Sequence, residues 1–208
     1  MIKMLTNTKF IAGEVARAKW MKILGPEALT VEEYCNSAAG SNFTKMADIT
    51  LDDAESRRTT IKAVPVNDTL WKETAEHIYI IVRNNEIMKI GGTRTGMKAR
   101  WGSYLCGHCV AERKNKHGEA NPGKMSVTNA HLYHTIEHDL LQGNNWEFYS
   151  WKLPAVTVQV DILGTPTSVI AQTYHAYEAR CINLFKTMTG HIPQLCDNSD
   201  PNYKVKKE

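Results

Sequence analysis

His77-Ile78-Tyr79, Lys89-Ile90-Gly91, Arg100 and Tyr104 follow one another closely, bringing phenol, ammonium and guanidinium groups into one short stretch of chain. Side chains of these types suit the holding and hydrolysis of a phosphodiester. That reaction needs a base for the attacking water, cations for the phosphoryl oxygens and help for the departing oxygen. Tyr79 is a weak base, its free phenol titrating at about 10, and a neighbouring ammonium such as Lys89 favours the phenolate. Arg100 offers a planar fork to a phosphate, and Tyr104 offers a hydroxyl donor.

These residues need elements that hold them together. Residues 76–82 (EHIYIIV) are β-branched and aromatic and read as a strand. Asn84-Asn85 suits a tight turn, and 86–91 (EIMKIG) reads as the returning strand of a hairpin. With a short turn, Tyr79 and Lys89 project from one face. From Thr95 the pattern is helical, and Arg100 and Tyr104, four apart, share a side. Gly91 and Gly92 read as a bend with room for a close phosphate. Arg94 and Lys98 add cations within reach.

In order and spacing the segment resembles the catalytic core of the GIY-YIG nuclease superfamily. His77-Ile78-Tyr79 matches the first signature with His in place of Gly, and Lys89-Ile90-Gly91 the second with Lys in place of Tyr. Arg100 falls where the family carries its helix arginine, and Tyr104 one turn later, where many members carry a His. Lys at the second Tyr position is similar to the variation in some type II restriction endonucleases.

The resemblance implies an α/β fold with a small mixed or antiparallel sheet and flanking helices, to which the pattern of the first residues adds an N-terminal helical extension. It implies catalytic Tyr79, Lys89, Arg100, Tyr104 and Glu178, the last in TYHAYEARCINLF and the ligand of one Mg²⁺ or Mn²⁺. It also implies a closing segment, GHIPQLCDN, whose Asn198 makes polar contacts at the site. In this scheme Tyr79 deprotonates the water, while Lys89 lowers its pKa or orients the water. The implied activity is site-specific cleavage of double-stranded DNA, by a homodimer because cutting both strands needs two sites. A stand-alone repair, phage or homing-type nuclease is the alternative within this chemistry, and a non-catalytic DNA-binding domain is the alternative outside it.

The chain has 208 residues, 42% hydrophobic and 23% charged, with a net charge of +3. This is the composition of a globular protein that tolerates nucleic acid without demanding it. No apolar run approaches the roughly 20 residues of a membrane span, and the charged N-terminus is no signal peptide, so an intracellular, cytoplasmic location is expected. Five cysteines without framework spacing fit a reducing compartment.

Outside the hairpin and helix, 1–65 reads as a helical arm and 66–208 as the core, with an inserted basic loop around 110–130. In the arm, helices are expected from residue 7 or 8 to about 24, from Thr30 (capping box TVEE) to about 39, and from Thr50, ending at Arg57 and Arg58. Those two arginines are candidate DNA contacts. Residues 130–141 read as a surface helix whose His131, His134 and His138 pair on faces without a zincin pattern. Cys106-Gly107-His108-Cys109 has the form of a redox motif but follows a helix, so two free thiols in a turn are expected. Strands are expected at 146–151 and 155–163, completing the sheet, followed by a helix over 168–188.

Overall fold

The computed structural model describes residues 8–27, 29–37, 43–109, 117 and 127–196. The organising strand is β3 (His77–Arg83), with six consecutive buried residues. Such a run cannot be a half-solvated strand, because alternate side chains point to opposite faces and all of them here avoid water. Both faces are accordingly covered. Ile78, Ile80 and Val82 face one core cluster with Tyr34 and Phe185. Tyr79 and Ile81 face the other, with Phe148, Trp101 and Tyr133. Each fully buried Ile or Val is worth roughly 1.5–3 kcal/mol.

β3 returns through Asn84 and Asn85, both left-handed at φ 47 and 72, into β4 (Glu86–Thr93). Two left-handed residues make the turn whose twist matches the hairpin, and Asn tolerates that conformation. β5 (Trp146–Lys152) pairs antiparallel on the other side of β3. The sheet is completed by β1 (Thr44–Leu51) and β2 (Ile61–Pro65), in the order β2-β1-β5-β3-β4, antiparallel throughout. The fold is thus α/β, a five-stranded antiparallel sheet flanked by helices.

The helices are α1 (Thr8–Ala12), α2 (Glu14–Trp20), α3 (Val31–Ser37), α4 (Asp68–Lys72), α5 (Met97–Leu105), α6 (Val127–Leu141) and α7 (Tyr174–Thr189). The Thr30–Glu33 capping box forms as expected, with Glu33 N–H donating to Thr30 Oγ1 at 3.2 Å and Thr30 N–H to Glu33 Oε2 at 3.0 Å.

Four expectations are corrected. The helical reading of 1–65 fails beyond α3, since 44–51 and 61–65 are strands of the central sheet and the Thr50 cap signal starts no helix. Pairing of β1 with both β2 and β5 outweighs that local signal. The first helix, expected to run unbroken to about 24, is interrupted at Gly13 and ends at Trp20, with Phe10 buried but Val15 82% exposed. α6 is no surface helix: Leu132, Tyr133, His134, Ile136 and Glu137 are buried. Lastly, 165–171 is β7 (Thr165–Ala171), which pairs with β6 (Val156–Ile162) in a separate ribbon, and the helix begins only at Tyr174. The Val-, Thr- and Ile-rich sequence of β7 favours a strand, and left-handed Leu163 and Gly164 close the ribbon turn. No helix among the described residues is long and apolar enough to cross a membrane.

Candidate active site

Tyr79 and Gly91 are direct partners in the β3–β4 register, while Lys89 opposes Ile81, one step along the same face. The face-sharing inferred from sequence follows from this register. A Cβ on residue 91 would lie far inside van der Waals contact with the Tyr79 phenol, so glycine is what lets the ring lie across the strand. Gly92, on the opposite face, is crowded in the same way: its Cβ would stand 2.6 Å from Tyr174 and 3.0 Å from Glu178 Oε2. Both glycines lie within β4, and protein side chains take the space expected to admit a phosphate.

α5 lays Arg100 and Tyr104 over the hairpin. Arg100 Nε donates to Tyr79 Oη at 2.8 Å, and the Tyr79 and Tyr104 hydroxyls hydrogen-bond each other. The guanidinium carbon stands 4.6 Å from the Tyr104 ring centroid and 5.6 Å from that of Tyr79, so the cation lies against both π systems. Burial pushes the Tyr79 phenol well above its ordinary pKa and the adjacent Tyr104 adds to this, while Arg100 and, after it, Lys89 pull the other way. Burial also raises Tyr104, to about 12, against the opposing Arg100. Both phenols are therefore neutral at pH 7.

Lys89 was expected to be the main ammonium acting on Tyr79, but Arg100 exerts the larger pull and makes the contact. Lys89 is 6% exposed and donates from Nζ to the Leu195 carbonyl at 2.8 Å. That carbonyl belongs to a segment along the free edge of β4. Leu195 N–H donates to Met88 O at 2.9 Å, and Cys196 Sγ donates to Ile90 O at 3.3 Å. An exposed sheet edge is thereby covered. A backbone carbonyl leaves no mark in sequence, so this partner was not foreseeable; the apolar Leu195 after Pro193 is its one faint signal.

Glu178 comes from α7, which packs against β4. Burial raises its carboxyl pKa, opposed by Lys89, His175 and Arg100 and by a hydrogen bond from the Gly92 backbone. The carboxylate is a hard oxygen donor, the type that suits a divalent ion bringing phosphate oxygens and water as its remaining ligands.

The structure thus brings Tyr79, Lys89, Arg100, Tyr104 and Glu178 around one end of the hairpin. Arg94 and Lys98 are exposed, Arg94 just before α5 and Lys98 in its first turn. Arg57 and Arg58 do not join the cluster. They lie in the β1–β2 connection, and β1 runs in the same direction as β3, so this loop falls at the Arg83 end of the sheet, away from Tyr79. Arg57 pairs with buried Asp52 at 3.1 Å. Asn198 lies outside the described residues, as does most of the loop expected around 110–130.

The other candidates form no centre. Cys106 and Cys109 are exposed free thiols in a short 3-10 turn after α5. His131 Nδ1 lies 2.6 Å from the Trp20 carbonyl oxygen, and His134 pairs with Glu137 at 3.5 Å. No group of three or more His, Cys, Asp or Glu among the described residues is arranged to hold a metal ion.

No protein-family model and no curated protein matches the sequence. Solved structures that align with it include two endonucleases. The restriction endonuclease HPY188I in complex with product DNA is 18% identical, the alignment covering 81% of this chain and 86% of that one at a TM-score of 0.46. Bacteriophage T4 EndoII is 17% identical, with 76% and 95% covered and a TM-score of 0.46.

Proposed function

We propose that this chain is a DNA endonuclease of the GIY-YIG kind, cutting double-stranded DNA at specific sites in the manner of a type II restriction enzyme and acting as a homodimer. The observation that carries the reading is the Tyr79–Tyr104–Arg100 cluster, in which a buried phenol is hydrogen-bonded to a guanidinium with Lys89 and Glu178 close by. A structural role alone does not explain why two cations and a carboxylate gather around two buried hydroxyls, since each buried charge costs free energy unless it is used or paired.

In the mechanism, the Tyr79 phenolate takes a proton from the water that attacks phosphorus. Arg100 stabilises that phenolate and then the negative charge on the phosphoryl oxygens through its remaining N–H groups. Tyr104 holds the Tyr79 oxygen in line and takes up charge by its own hydrogen bond. Lys89, held by Leu195, supplies a fixed positive field that needs no reorganisation as charge develops. Glu178 would hold one Mg²⁺ or Mn²⁺, which when bound supplies Lewis-acid stabilisation of the leaving O3′. Because the neutral phenol dominates at pH 7, the active fraction grows as pH rises.

Incubating supercoiled plasmid with the wild-type chain and with Tyr79→Phe in Mg²⁺ tests this. Discrete linear fragments from the wild type and none from the variant are expected. A wild type that binds DNA without cutting it favours the non-catalytic domain.

A further inference from the structure

Beside Tyr79, on the same face of the sheet, lies a cleft of about 190 Å³. Thr44 opens β1, Ser150 and Lys152 end β5 and His77 begins β3, so strand ends form its floor, while Leu70 of α4 and Met46 complete the wall. His77 is 3% exposed. Its Nδ1 lies 2.7 Å from Ser150 Oγ, and its buried Nε2 has no hydrogen-bond partner. Ser150 is itself the residue opposite Tyr79 in the β3–β5 register, so the cleft and the hydroxyl cluster share a floor. Lys152 is tied to Glu73 at the rim by an ion pair.

We propose that this cleft receives one nucleobase of the bound DNA strand, drawn out of its stack beside the phosphate held at Tyr79. This deepens, and rests on, the endonuclease reading. Size is the first argument. A cavity of roughly 150 Å³ holds a benzene ring, so this cleft suits a flat heterocycle of one or two rings and is too small for a drug-sized ligand. Chemistry is the second. Leu70 and Met46 offer apolar surface to a ring face, whereas Thr44, His77 and Ser150 offer hydrogen bonds to a ring edge, the division that pockets for flipped bases use. His77 is the third. A buried nitrogen without a partner costs stability in the free protein, and a base edge that reaches it recovers that cost. Burial lowers the pKa of His77, so the ring is neutral, and with Nδ1 taken by Ser150 its Nε2 is left to make one uncharged hydrogen bond, of the kind a base edge offers. Position is the fourth, since residues two apart on a strand stand about 6.6 Å apart along it, which puts the cleft within a nucleotide's reach of Tyr79.

The test uses the full chain labelled with ¹⁵N-histidine and titrated with short single-stranded oligodeoxynucleotides of adenine, cytosine or thymine. The His77 signal is identified by its loss in His77→Gln. Its Nε2 resonance is expected to move saturably with at least one of these strands. Leu70→Trp, at a position 43% exposed and so tolerant of substitution, should fill the cleft and weaken that strand's binding about tenfold. A His77 signal that stays still while the strand binds overturns the proposal, as does a strand that binds Leu70→Trp unchanged or fails to bind the wild type. Plasmid cleavage is scored separately. Cutting with an unmoved His77 signal removes the base cleft and leaves the endonuclease, and a moved signal without cutting does the reverse.

Discussion

Tyr79 lies across Gly91, and the two are exact partners in the hairpin register, so the ring of one occupies the space that a side chain on the other would need. The position of the phenol is thus set by a neighbour that has no side chain at all. Gly91→Ala must displace the ring, which is already packed against Phe148 and Tyr104. Overpacking of this kind costs about 1–3 kcal/mol, a modest loss for a core of this size. Displacement of a reacting group by about 1 Å, however, lowers a rate by about 100-fold. Gly91→Ala is therefore expected to melt a few degrees lower but to lose nearly all cleavage. A variant that cuts DNA at the wild-type rate would show that the placement of Tyr79 is not critical.

The neutral state of Tyr79 leads to a prediction in pH. Burial raises the phenol, and Arg100 opposes that rise more than Lys89 does. If the deprotonated form is the base, the rate climbs with pH and the climb extends to high pH. Removing a cation raises the phenol pKa further, so the rising limb moves alkaline, further for Arg100→Gln than for Lys89→Met. Tyr79→Phe should be inactive at every pH. Cleavage rates of the three variants over about pH 6 to 10 decide this. A uniform loss across pH in Lys89→Met, with salt-dependent loss of affinity, would place Lys89 on the phosphate instead.

The hairpin and α5 were legible in sequence because their signals are local: a continuous apolar strand, two asparagines at the turn, and Arg100 and Tyr104 one helical turn apart. The Thr30–Glu33 capping box was legible for the same reason. β1 was not, because its strand identity depends on β5, far along the chain, and nothing within 44–51 announces that partner. The β6–β7 ribbon was missed where the helix expected over 168–188 was begun too early, yet the β-branched residues of 165–171 favoured pairing with β6. At the site, side-chain types could be read from sequence but burial could not. It is burial that makes Tyr79 a neutral phenol and gives Arg100 rather than Lys89 the leading effect on it.

A second buried polar group lies apart from the site, between α2 and α6. Arg17 stands 3.0 Å from Glu137, which also accepts from Thr60 Oγ1, and both charged side chains are almost fully buried. Burial alone would raise the Glu137 carboxyl, but hydrogen bonds from His134 and Thr60 and the charge of Arg17 outweigh it and hold the pKa below its ordinary value. A carboxyl depressed on folding contributes stability above its unfolded pKa of about 4.3, and that contribution is lost as pH falls through the folded value. Glu137→Gln leaves Arg17 buried without its counter-charge, a change that costs about 3–5 kcal/mol at neutral pH. The variant is expected to melt well below the wild type at pH 7, with the gap narrowing in acid. Thermal melts at pH 7 and below pH 4 check both halves, and a gap independent of pH would assign the loss to packing.

Glu178 is the only carboxylate of α7, and it sits against the Gly92 backbone with Lys89 and Arg100 near enough to oppose the effect of its burial. If it holds the divalent ion, Glu178→Gln keeps the shape of the side chain and removes the charge that binds metal. DNA affinity should then change by no more than a few-fold, because Arg100 and the surface cations remain, while cleavage in Mg²⁺ falls by several orders of magnitude. Metal binding to the native state gives a second readout that does not depend on cutting. An ion that binds the folded form raises the melting temperature, so added Mn²⁺ should stabilise the wild type and leave Glu178→Gln unmoved. Near-normal cleavage by the variant, or an equal Mn²⁺ shift in both proteins, would take the metal away from Glu178.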